Sequence, residues 1–190
     1  MLRTMRTIGV LVALAVVMSA GVARAATDGR SDGRKNFQLF KAVADKINRY
    51  DRMTIFDSVD IGVKDGVVTL TGDVTNPLKR DEIGEEVAKV DGVLTLKNDI
   101  VVLPVSPFDD QLRARLARSI YGNSNFSSNR GAIPSIRIIV ENGHVTLTGV
   151  VNSDFDRQLA QTIARQQSGV FSVKNELKTD AEMKAAREKI

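Results

Sequence analysis

Val59, Ile61 and Val63 alternate with Asp60, Gly62 and Lys64, and Val68, Leu70 and Val74 resume the alternation after Asp65-Gly66. A period of two predicts a pair of half-buried strands. The Asp-Gly step between them supplies the positive φ angles that a tight hairpin turn requires. Upstream, Leu39, Val43, Ile47 and Tyr50 recur at helical spacing and predict an amphipathic helix over Phe37–Tyr50. Downstream, Asn76-Pro77 reads as the cap and first turn of a second helix reaching about Val90. Gly92 suits the left-handed residue past its end. A last strand over Val93–Leu103 carries Leu96, Asn98, Ile100 and Val102 on one face. Gly72 falls on the inward face of the second strand, where a missing side chain lets another group approach closely. The order is helix, strand, strand, helix, strand.

The same plan occurs twice. Shifting the chain by 77 positions superposes Ser58–Val101 on Ser135–Lys178 without a gap, and Val-Thr-Leu-Thr-Gly recurs whole at Val68–Gly72 and Val145–Gly149. Gly66, Gly72 and Gly92 stay in register with Gly143, Gly149 and Gly169, and Asn98 with Asn175. Apolar coincidences are common, whereas a gapless match that retains its glycines marks a duplicated supersecondary unit. In the second copy Leu112, Leu116 and Ile120 form the first helical stripe and Ile136, Ile138 and Val140 the first strand. Asn142-Gly143 makes the turn, Val145, Leu147 and Val151 the second strand, Ser153 a cap, and Phe155, Leu159 and Ile163 a helical face.

Two differences stand out between the copies. The first helical stripes align at an offset of 73, so four extra residues separate helix and strand in the second copy. They fall in Gly122–Pro134, whose Gly, Asn and Ser content predicts an exposed loop. In the second helices Ile83 and Val87 align with Ala160 and Ala164, which predicts helices rotated differently on their sheets. The connector 104–108, with Pro104 and Pro107, is short and stiff enough to hold the units close. This partitions the chain into a leader 1–25, a linker 26–36, module 1 at 37–103, the connector, module 2 at 109–178, and a charged, Ala-rich tail 179–190.

The leader has the form of a secretory signal. Arg3 and Arg6 precede the apolar run Ile8–Met18, and Ala23-Arg24-Ala25 offers a small-x-small site for cleavage after Ala25. Export to the periplasm is the expectation. Loss of the leader removes Arg3, Arg6 and Arg24 from 27 cations, leaving 24 against 23 anions. With near balance, two Tyr and no Trp, nucleic-acid binding is not expected. The chain has no Cys, so each module must rely on its own hydrophobic core.

Two units of the form D/N-G-x-V-T-L-T-G-x-V, then a helix, then G-V-x-x-[LV]-x-N-x-[IL], resemble the BON domain, the bacterial OsmY and nodulation module. A leader followed by two such units is similar to periplasmic osmotically inducible Y-type proteins. The match covers about Phe37–Lys178. The resemblance implies an α+β fold of two αββαβ modules, each a three-stranded mixed sheet with two helices on one face. It also implies an envelope role: attachment to phospholipid membranes, with stress-linked and chaperone-like roles in some members. The motif holds no catalytic residues, and its Asn98 and Asn175 read as structural, bonding nearby backbone.

No catalytic, cofactor or metal set can be assembled from the residues. The single His, His144, lies on the outward side of a strand where module 1 has Val67, and one His supports no nucleophile–base pair. What differs between the modules is charge. Residues 37–103 carry 9 cations and 12 anions, whereas residues 109–178 carry 9 and 6. Arg113, Arg115 and Arg118 surround the helical stripe of module 2, and Tyr121 and Phe126 sit in or beside the extra loop. An anionic phospholipid surface contacted through these five residues is the predicted partner. The alternative is an envelope protein partner or chaperone-like client without lipid. It would dock on outward apolar residues such as Val67, Ile139 and Val150.

Overall fold

The computed structural model describes residues 18–127 and 135–188. The chain forms α1 (Met18–Asn48), β1 (Ser58–Lys64), β2 (Val67–Val74), α2 (Pro77–Ala88) and β3 (Thr95–Val102). It continues as α3 (Pro107–Tyr121), α4 (Ser124–Ser127), β4 (Ile136–Glu141), β5 (His144–Val151), α5 (Asp154–Arg165), β6 (Ser172–Asn175), β7 (Lys178–Thr179) and α6 (Asp180–Glu188). In each module the first two strands pair antiparallel and the third runs parallel to the second. The fold is thus α+β, with two tandem modules of like order.

Registers repeat at the offset seen in the sequence. Ile61 faces Leu70 as Ile138 faces Leu147, and Leu70 faces Asn98 as Leu147 faces Asn175. The turns repeat too: Asp65 and Asn142 both sit at φ 51°, Gly66 and Gly143 at φ 78°. Gly72 and Gly149 adopt φ of 111° and 110°, and a Cβ on either would collide with the carbonyl oxygen of Ser58 or Ser135 on the neighbouring strand. Both reasons exclude a side chain there.

One core lies under each sheet. Leu39, Val43 and Ile47 of α1 and Ile83 and Val87 of α2 meet Val68, Leu70, Val74 and Ile100. Leu112, Leu116 and Ile120 of α3 and Ala160 and Ala164 of α5 meet Ile136, Ile138, Val140, Val145, Leu147 and Val151. The helix offset of 73 has a structural counterpart: Asn36 Oδ1 accepts from Asp65 N at 3.0 Å, and Asp109 accepts from Asn142 N and Gly143 N at 2.9 Å each. Each first helix thereby ties its own hairpin turn.

Several expectations are corrected. The first helix is longer than the expected Phe37–Tyr50: it begins at Met18 and ends at Asn48, over a stretch free of proline. Most of the leader, with Arg3, Arg6 and nearly all of its apolar run, lies outside the described residues. The connector ends early, because Ser106 caps α3 and Pro107 opens it. The second helices are not rotated: Ala160 and Ala164 are as fully buried as Ile83 and Val87. The core of module 2 instead gains Phe126, which is 1% exposed, from the four-residue helix α4. The Gly122–Pro134 stretch is therefore more than an exposed loop, although residues 128–134 lie outside the described set. The third strand of module 2 is split into β6 and β7, both on the same side of β5. The tail is helical as far as Glu188, with Thr179 and Glu182 exchanging hydrogen bonds as a capping box.

Candidate functional site

The strongest polar constellation sits where the modules meet, on the extended segment between α1 and β1. Asp57 is fully buried. Its carboxylate accepts from Thr54 N and Oγ1 at 2.8 and 2.6 Å, from Thr75 N and Oγ1 at 2.8 and 2.9 Å, and from Lys79 Nζ at 2.6 Å. Burial opposes its charge, and the bonds from Lys79, Thr54 and Thr75 outweigh that, holding the carboxyl below its ordinary value. So anchored, the segment Thr54–Asp57 reaches across to module 2. Ile55 O accepts from Ile138 N at 2.7 Å, Thr54 O accepts from Arg137 Nη1 at 3.0 Å, and Ile55 and Phe56 pack against the second core. Ser58 Oγ lies 3.1 Å from Thr148 Oγ1.

Beside this seam opens a cleft of about 630 Å³ lined by residues of both modules and α6, among them Met53, Asp60, Arg137, Val150, Glu176 and Met183. Asp73 lies near its acidic side. Burial, then the charges of Glu141, Glu176 and Asp60, push its carboxyl up. Apolar and oppositely charged groups are interspersed around the wall, with no convergent nucleophile, base or ligand set. Among the described residues no cluster of His, Cys, Asp and Glu could hold a metal ion.

The five residues expected to touch lipid do not act together. Arg113 is 5% exposed; its guanidinium donates to Asp110 Oδ1 and to Val140 O at 2.6 Å each, clamping α3 to β4. Tyr121 is half-buried and donates to Ile136 O at 2.5 Å, and burial pushes its hydroxyl up to about 12. Phe126 lies inside the core. These three are structural, because α3 turns Arg113 and Tyr121, and α4 turns Phe126, toward the sheet and core. Arg118 is exposed, and Arg115 is half-buried with Nη2 donating to Ser168 O at 3.1 Å. Of the outward apolar candidates, Val67 and Val150 are half-buried and Ile139 is only 5% exposed.

Exposed apolar side chains lie elsewhere. Phe108 in the first turn of α3 is 47% exposed and Phe171, just before β6, is 72% exposed. Phe108 lies over Gly169 and Phe171 over Gly143: a Cβ on either glycine would come within 2.7 Å of the ring, and the Gly169 carbonyl lies against Gly143. The two rings therefore flank one small spot at the hairpin end of module 2. His144 joins them, its ring edge-on to Phe171 at 6.0 Å and its Nδ1 2.7 Å from Ser172 Oγ. Spaced along α3, Phe108, Arg115 and Arg118 fall on one side of the helix. Sequence periodicity passed over Phe108 and Phe171 because neither belongs to a core stripe. The available signal was that Leu94, 80% exposed over Gly66, occupies the same place in module 1.

The motif asparagines do what the sequence suggested. Asn98 Nδ2 donates to Arg80 O and Asn175 Nδ2 to Arg157 O, each at 2.9 Å, while their Oδ1 atoms accept from Ile100 N and Leu177 N. Each pins its third strand to its second helix. Gly66, Gly72, Gly92, Gly143, Gly149 and Gly169 all have positive φ.

No curated protein matches this chain. Among solved structures the chain is similar to CdsD, a structural protein of the type III secretion system of Chlamydia trachomatis, at 15% identity and a TM-score of 0.29, over 80% of this chain and 97% of that one. A structure of the CdsD C-terminal domain matches at 16% identity and a TM-score of 0.28, over 64% of this chain and 56% of that one. Among the described residues no helix is long and apolar enough to cross a membrane. The family model of the BON domain matches residues 38–104 and 108–181, and the chain belongs to the BON domain family, found in envelope proteins, with two domains in tandem.

Proposed function

We propose that the chain is an exported, non-catalytic periplasmic protein that attaches reversibly to anionic phospholipid surfaces, in a role of envelope protection under stress. The hairpin end of module 2 makes the contact. The observation that carries this reading is the pair of exposed rings, Phe108 and Phe171, over adjacent glycines with Arg115 and Arg118 on the same side of α3. Aromatic side chains beside cations suit the boundary between headgroups and acyl chains. Module 2 also holds the positive charge balance, 9 cations against 6 anions over residues 109–178.

The magnitudes fit a peripheral protein. Two cations near an anionic surface contribute about 1 kcal/mol each. Two partly exposed Phe rings contribute about 1–2 kcal/mol each on insertion. The sum gives weak, salt-sensitive adhesion well short of permanent anchoring.

Co-sedimentation of the chain from Ala26 onward with vesicles tests the reading. Binding to vesicles rich in anionic phospholipid should fall as salt rises, and Phe108→Ser with Phe171→Ser should lower the partition about tenfold or more. Equal binding to zwitterionic vesicles, or an unchanged partition for the double variant, would rule it out.

A further inference from the structure

The two modules share a strand register but differ at the outer edge of their first strand. In module 2, Ile138 turns its N–H away from β5 and gives it to Ile55 O, while Ile55 and Phe56 pack against the core. Ile136, Ile138 and Val140 are all fully buried there. In module 1, Ile61 holds the place of Ile138. The residues of β1 bonded to β2 are the alternate set, as Val150 N donating to Ser135 O shows at the equivalent pair. Val59, Ile61 and Val63 therefore point their backbone N–H and C=O groups outward. Among the described residues nothing pairs with them, and all three side chains are only partly buried. β1 carries no proline, and its register to β2 is unbroken, so two usual defences of an edge strand, proline and a bulge, are absent; its exposed charges are one Asp and one Lys.

We propose that the outer edge of β1 pairs antiparallel with β1 of a second copy of this chain, about a two-fold axis through Gly62. Hydrogen-bond parity and charge select this occupant. With Gly62 facing Gly62, Ile61 lies opposite Val63 of the second copy, and these outward-pointing residues exchange both backbone bonds on each side of the axis. The same register sets Asp60 opposite Lys64 of the second copy, twice by symmetry. Asp60 and Lys64 are exposed, and neither forms an ion pair among the described residues. Ile61 and Val63 extend the half-covered apolar row across the axis. Gly62, at the closest approach, has only Thr69 near it, at 3.8 Å from a would-be Cβ. The contact uses the same surface on both copies, so it closes at a dimer instead of growing into a filament. A few strand bonds and two ion pairs make a small interface, and the dimer forms in a concentration-dependent way.

The chain contains no Cys, so Gly62→Cys introduces one thiol on the axis, where the space around the position accepts it. A facing pair of this kind has Cα atoms about 4.5 Å apart, within the reach of a disulfide. Lys64→Cys would place its two thiols roughly 14 Å apart along the strands, out of reach. Mild oxidation should give a disulfide-linked dimer of G62C and not of K64C. In sedimentation, Asp60→Lys and Lys64→Asp should each weaken the dimer about tenfold, since like charges then face each other. Combining them should restore it. The proposal is overturned if G62C stays monomeric or cross-links no faster than K64C, or if the double charge swap dimerises no better than the single variants. None of these readouts involves lipid, so they stand apart from vesicle binding.

Discussion

Module 1 and module 2 have the same strands in the same register, yet they are stabilised from different sources. Module 2 has its first strand covered on its core face and outer edge: Phe126 enters from its own α4, and Ile55 and Phe56 arrive from module 1. Among the described residues module 1 receives no such cover, and its first-strand residues Val59, Ile61 and Val63 remain partly open. In exchange it holds Asp57, whose place in module 2 is taken by Pro134, while that of Lys79 is taken by Asp156. Duplication preserved the backbone path and left covering and anchoring free to diverge. Features common to both modules are therefore demands of the fold, and features held by one alone are where partners and contacts between modules arise.

The sharpest way to break the equivalence is to attack what both copies share. Gly72→Ala and Gly149→Ala each place a side chain in a positive-φ position and against a neighbouring backbone carbonyl, which cannot move without breaking the strand pair. Each should cost about 3–4 kcal/mol, from backbone strain plus overpacking. Chemical denaturation of the two single variants should show like losses. A mild effect in one copy would mean that the two close approaches are not equivalent.

Asp57 tests the opposite side of the comparison, a device present in one module only. Asp57→Ala leaves Lys79, whose side chain is 12% exposed, without its partner and releases the segment that covers β4. Removing one member of a buried pair costs about 3 kcal/mol. The pH sign follows from the lowered pKa. The contribution of Asp57 is present above the unfolded carboxyl value of about 3.9 and is lost as pH falls through the lower folded value. In urea titrations the gap between wild type and D57A should therefore narrow only in strong acid. A gap that closes already near neutral pH would show that the anchor is not this ion pair.

How much of this was readable beforehand follows from what carries a period. Strands, turns and cap positions were legible because alternation, the Asp-Gly and Asn-Gly steps and Asn76-Pro77 are local signals whose physics does not depend on the rest of the chain. Arg113 was misjudged because helical spacing does not say which flank of a core stripe meets the sheet edge. Its aliphatic stem and guanidinium fit against β4, where Val140 O was waiting for a donor. Phe126 was read as loop because Gly, Asn and Ser surround it; one aromatic residue in a polar stretch was the clue that the stretch folds back. The phase error in the second helices came from judging by size, since Ala160 and Ala164 fill core positions despite being small. The segment Thr54–Asp57 has no periodicity at all, and only its contact with module 2 gives it meaning.

The smallest expected effect lies in the seam itself. Asp73 sits on the helix-free side of module 1 and feels Glu141 and Glu176 of module 2 together with Asp60 of its own sheet, and burial adds to the penalty on its charge. A carboxyl raised above its unfolded value favours folding most when protonated. That contribution is fully present below the unfolded value of about 3.9 and is lost as pH rises through the folded value. At neutral pH the charge is a mild liability, and Asp73→Asn should raise stability. Solvent still reaches the group, so screening limits the gain to about a few tenths of a kcal/mol. The gain should shrink as salt is added, and it should be lost as pH falls through the raised folded value toward the unfolded one. Thermal melts of both proteins over that pH range provide the check. If D73N were instead less stable at neutral pH, Asp73 would be accepting a bond across the seam, and the modules would be joined there by attraction and not merely by the contacts of Ile55 and Phe56.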